Sequence, residues 1–126
     1  MLFGLLIVSG FFAACNGGDD DSDTAGAVVI EDPVAAEGQT VFKRNCASCH
    51  AVTEETIIVG PSLAGIANRA GSRVEGQSAT EYIQLSILDP DAYVVEGFSD
   101  LMPSNFGVTL SGEQLDTLTA YLMTLE

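Results

Sequence analysis

The sequence predicts an all-α domain of about three main helices, with long loops wrapped round something other than protein. Three observations carry this. Three segments bear helical start and stop signals, and none alternates as a paired strand would. The stretches between them are rich in Gly and Pro and exceed the roughly 12 residues that structureless loops reach in small domains. A chain of 126 residues is one domain by length and buries only a limited core by itself. A filler for the middle is therefore expected.

Residues 1–15 stand apart from the fold. "MLFGLLIVSGFFAAC" is apolar from Leu2 to Ala14, broken only by small residues and Ser9. That run falls short of the roughly 20 residues of a spanning helix. It suits the hydrophobic region of an export signal. Its end, "FAAC", resembles the lipobox of bacterial lipoproteins, which would make Cys15 the lipidated residue. Attachment of more than one acyl chain gives stable anchoring. Phe12 stands where those proteins usually have Leu, and no Lys or Arg precedes the apolar run. The competing reading is a plain signal or uncleaved anchor in which Cys15 is incidental.

Residues 16–32 read as a flexible acidic linker. "NGGDDDSDTAG" has no apolar residue before Ala25, so it adds nothing to a core. A flexible tether from Cys15 to Pro33 spans on the order of 23 Å. The Asp run lacks the central Gly and closing Glu of an EF-hand, which argues against calcium. "AVVI" at 27–30 is a short apolar patch that can rest on the domain.

The folded domain is placed at residues 33–126. Its first helix is read in "PVAAEGQTVFKRNCASCH", with Asp32 as N-cap, Pro33 at the first position and Val34, Val41 and Phe42 on one face. The second is "SATEYIQLSILDP", capped by Ser78 or Thr80, with Tyr82, Leu85 and Leu88 as its apolar stripe and Pro90 as its stop. The third is "LSGEQLDTLTAYLMTLE". Ser111 and Gln114 form a capping box, and Leu115, Leu118, Leu122 and Leu125 form the buried stripe, with Tyr121 beside it.

Charge excludes some functions. Eighteen acidic residues against 4 basic ones give a formal net charge of -14. Nucleic acid needs a basic footprint, and anionic lipid headgroups need basic protein charge. The acidic surface either steers the protein toward positively charged partners or simply keeps it solvated.

The chemistry is concentrated in "RNCASCHAV", residues 44–52, which holds two of the 3 cysteines and the lone histidine. A thioredoxin-like dithiol wants a βαβ sheet, and no strands are evident. Zinc wants four ligands, and the set here is too small and too crowded. The third reading is covalent haem, because C-x-x-C-H is the haem c attachment motif. Positions i, i+3 and i+4 share one face of a helical turn. Cys46, Cys49 and His50 would then meet one side of a flat macrocycle, the thiols on its vinyl groups and the imidazole at the iron. Haem would be the missing filler. The export signal fits, since such attachment occurs outside the cytoplasm. With Cys15 assigned to lipid, no cysteine is left for a disulfide.

Over 33–126 the chain resembles the class I (monohaem) cytochromes c, in a lipoprotein-type bacterial form. "GQTVFKRNCASCH" resembles the family's first helix, "GPSLAGIANRAG" the following loop, "LMPSNFG" the segment of the second axial ligand, and "LDTLTAYLMTL" the closing helix. The resemblance implies His50 as proximal iron ligand and Met102 as distal ligand. It implies that the Pro61 carbonyl accepts the His50 Nδ1–H, that Leu63 packs on the haem, and that Arg69 bonds a propionate. Gly38 and Phe42 would meet Leu118 and Tyr121 where the first and last helices cross. Of the 3 methionines, only Met102 lies in a loop before a Pro. The connection from Pro90 to Met102 is a few residues longer than in the mitochondrial relatives. Tyr82 and Tyr93 line the pocket or belong to core or surface. Lys43 and Arg44 form a local basic spot or merely cap the helix end.

The implied function is one-electron transfer in a respiratory or photosynthetic chain, by a protein that is not itself an enzyme. The expected location is extracytoplasmic, with the chain held to the membrane through Cys15. Redox protein partners with a basic docking patch are expected, and no small-molecule substrate at the iron. An obligate cytochrome subunit of a larger oxidase, quinol-oxidising complex or dehydrogenase is the first alternative. A haem peroxidase or sensor is the next, disfavoured by Met102.

Overall fold

The computed structural model describes residues 30–126. Residues 1–29, which hold the expected signal segment, Cys15 and most of the expected linker, lie outside the described residues. Five α-helices and one 3-10 turn make up the described part, and it contains no strand.

Helix α1, Pro33–Asn45, starts where its cap directs. The Asp32 carboxylate accepts the Val34 N–H at 2.9 Å, and Pro33 sits where no intrahelical donor is needed. The helix was expected to run through His50 but ends at Asn45. Its last turn is closed by other donors. The Phe42 carbonyl accepts from both Cys46 and Ala47, and the Asn45 side chain takes the Val41 carbonyl. Val34, expected on the apolar face, is exposed, while Val41 and Phe42 are buried.

Helix α5, Gly112–Leu122, opens on the Ser111–Gln114 capping box. It stops four residues earlier than expected. α1 packs on α5 more extensively than any other pair of helices. Gly38 makes this possible. A Cβ there would fall 1.8 Å from the Thr117 carbonyl oxygen and 2.8 Å from Tyr121 Cβ. The close partner of Gly38 is thus the Thr117 backbone rather than the Leu118 side chain. Phe42 meets Tyr121 four residues on, with ring centroids 5.4 Å apart and planes tilted by 53°. Leu118 is fully buried beneath this crossing, and Leu115 is half-buried.

Helix α2, Ile66–Ala70, follows the left-handed Gly65, and α3, Ala79–Leu88, follows the Ser78–Glu81 capping box. Backbone and hydroxyl of Ser78 both hold the Glu81 carboxyl below its ordinary pKa. α3 buries Tyr82, Ile83 and Ile87, whereas Leu85 and Leu88, expected inside, are exposed. This helix is apolar on most sides, so its spacing did not select a face. Packing against α2 and α5 did. Pro90 does end α3, and it also starts the 3-10 turn Pro90–Ala92. Helix α4, Phe106–Thr109, completes the set and lies against α3. Ile30 packs on the core, which runs from Val41 and Phe42 through Ile66, Ile83 and Leu118 to Leu125.

Candidate functional site

The sequence after α1 folds back into a single turn. Cys49 and His50 both donate to the Cys46 carbonyl, at 3.0 and 2.9 Å. One helical turn therefore carries both thiols and the imidazole, although α1 itself has ended. The loop that follows is fastened to this turn. Val59 and Gly60 donate to the Cys49 carbonyl, and Leu63 donates to that of Ala51. The fastening brings the Pro61 carbonyl to 2.8 Å from His50 Nδ1. A carbonyl only accepts, so Nδ1 carries the proton and Nε2 is the nitrogen with a free lone pair.

Above this turn lies a cavity of about 240 Å³. Cys46, Cys49, His50, Pro61, Leu63, Arg69 and Met102 all line it. These are all the site residues inferred from the sequence apart from Cys15, which lies outside the described residues. Met102 comes to the cavity on the connection between the 3-10 turn and α4. Tyr82 and Tyr93 also line it, edge to face, with centroids 5.7 Å apart. Both readings of Tyr82 hold together, since it is core and cavity wall at once.

Arg69 is held by the loop it closes. Its guanidinium donates to the Ser62 carbonyl at 2.6 Å and to the Ala64 carbonyl. Burial first, and then the neighbouring Arg73, lower its pKa.

Two residues escaped the sequence reading. Gly60 lies against the imidazole, where a Cβ would stand 2.4 Å from His50 Cε1. The Gly-Pro dipeptide was its only signal. Arg73 also lines the cavity, and its Nε is buried with no hydrogen-bond partner. Its spacing four after Arg69 was the available hint.

The donor set tests what the cavity suits. Cys46 and Cys49 are not joined in a disulfide. Burial, and secondarily Cys49, push the Cys46 thiol up to about 11. It stays protonated near neutral pH, unlike the thiolate of a dithiol oxidoreductase. Among the described residues, no three His, Cys, Asp or Glu side chains are placed to hold a metal ion. A large, mainly apolar cavity with two thiols, an oriented imidazole, a thioether and two guanidiniums fits haem c. The thiols match its attachment points, the imidazole and thioether are iron ligands, and the guanidiniums suit its carboxylates.

Comparison with known proteins agrees. The family model for cytochrome c matches residues 35–126. The chain is 35% identical over 105 residues to "Cytochrome c oxidase subunit 2" of Bacillus sp. (strain PS3). That match covers 78% of this chain but 28% of the relative, so the chain spans just over a quarter of that protein's length. With most of its residues matched and its fold helical, this chain belongs to the cytochrome c family, whose membership implies haem-based electron transfer.

Proposed function

We propose that this protein is a one-electron carrier holding one covalent haem c, which Cys46 and Cys49 would anchor through thioethers and His50 and Met102 would hold at the iron. When bound, the haem supplies a reversible one-electron couple. The chain supplies the rest. The Pro61 carbonyl fixes the His50 ring and leaves Nε2 as the nitrogen free to bind iron. Met102 favours the reduced state and raises the potential. With His50 and Met102 both holding the iron, the chain itself would supply the ligands that a substrate would otherwise compete for. Phe42, Leu118 and Leu122 close the inner wall and keep water from it. The observation that carries this reading is one cavity lined by the Cys46–His50 turn and by Met102, from segments 52 residues apart in sequence (His50 to Met102).

The carrier works in a respiratory or photosynthetic chain outside the cytoplasm, and its partners are redox proteins presenting a basic patch to its acidic surface. Among the described residues no helix is long and apolar enough to cross a membrane. A lipid on Cys15 would supply the anchor.

Met102→Ala tests the ligand set. Its midpoint potential should fall by on the order of 0.1 V or more, within the roughly 0.8 V that axial ligation spans. The variant should also bind cyanide or carbon monoxide that the parent excludes. An unchanged potential and unchanged ligand binding remove Met102 from the iron.

The oxidase-subunit relative favours a second reading, a cytochrome subunit held within a larger oxidase or comparable complex. Mild detergent extraction separates the two: a subunit stays with its complex, and a carrier comes away alone.

A further inference from the structure

We infer that Arg73 is a second carboxylate-binding residue of the cavity, acting beside Arg69 on a haem carboxylate. The inference rests on the proposed function, since it needs haem c in this cavity.

Arg73 lines the cavity, and its Nε–H is buried with nothing to receive it. An unsatisfied buried donor on a charged group is costly and calls for a partner. Arg69 lies close enough for the charge of Arg73 to act on it, and no carboxylate is among the groups that shift it. Two like charges are therefore held together in a half-buried place, and the one carboxylate that lines the cavity, that of the exposed Asp100, is not among the groups that act on Arg69. The protein has acid to spare, with 18 acidic residues against 4 basic ones. Even so, half of its basic residues line this cavity, and Arg69 spends its bonds on the Ser62 and Ala64 carbonyls. Those carbonyls fix the Arg69 fork but neutralise nothing. The carboxylates are the charged groups on the haem periphery, and a guanidinium fork matches a carboxylate's two oxygens.

The test begins with the covalent haem content of the purified parent. Its absence defeats the proposed function itself, whatever Arg73 does. In holoprotein, removing a cation near the haem makes reduction harder. Arg73→Gln should lower the reduction equilibrium constant about tenfold, which is about 59 mV for one electron. Arg73→Lys keeps the charge and should recover most of the difference. An unchanged potential in Arg73→Gln, or a Lys variant as low as the Gln variant, overturns the inference. Should Arg73→Gln fail to mature, proton NMR of the parent holoprotein decides. A cross-peak between the Arg73 Nε–H and the methylene protons of a haem carboxylate arm is expected. An Arg73 Nε–H that exchanges freely with solvent and shows no such cross-peak overturns the inference.

Discussion

His50 is positioned by two residues that do opposite things. Pro61 offers its carbonyl to Nδ1, and Gly60 withholds a side chain so that the ring can lie against the loop. Gly60→Ala tests this directly. A methyl group 2.4 Å from Cε1 must push the ring aside or lift the loop from Cys49. A loss of about 1–3 kcal/mol is expected, as for overpacking elsewhere. Chemical denaturation of the holoprotein measures it, and a lengthened Nδ1 bond would move the imidazole NMR signals. Equal stability and unmoved signals would mean the loop adapts freely. At this scale the sequence showed those residues whose chemistry is in the side chain. Cys46, Cys49, His50 and Met102 belong to motifs. Gly60 has no side chain to signal with, and its role exists only once the ring is placed. The burial of Arg73 Nε is likewise a property of packing, not of spacing.

Helix starts were legible and helix faces less so. Ser78 with Glu81, and Ser111 with Gln114, act through bonds between near neighbours, so sequence spacing suffices to find them. The end of α1 depended on competition for the Phe42 and Val41 carbonyls, which no periodicity reports. The buried face of α3 depended on its neighbours, because Tyr82, Ile83, Leu85, Ile87 and Leu88 leave few polar sides to exclude. The short α2 and α4 are set by tertiary packing, being too brief to nucleate alone. The α1–α5 crossing was legible through Gly38, and it carries a second prediction. Gly38→Ala places a methyl 1.8 Å from a backbone oxygen that cannot rotate away. A cost of about 3 kcal/mol or more is expected, at or above the overpacking range, against the 1 kcal/mol at most that Ala offers over Gly in a helix. A fall in the denaturant midpoint with an unchanged slope is the expected readout. An unmoved midpoint would mean that the two helices are not packed this closely.

At the scale of the molecule, the shortage of core and the length of the loops have one cause. Residues 33–126 close round a cavity rather than round themselves, with α1, α3 and α5 as walls and the connections bringing Pro61 and Met102 to it. Among the described residues the cavity takes one carboxylate, that of the exposed Asp100, against the two guanidiniums of Arg69 and Arg73. Family membership accounts for this plan, and the covalent haem is the claim on which the rest depends. It is tested by denaturing the purified protein in acid, alkylating it, and measuring the intact mass. One haem should remain with the chain through denaturation, with Cys46 and Cys49 both protected from alkylation. Haem extracted from the chain, with both thiols alkylated, would contradict it.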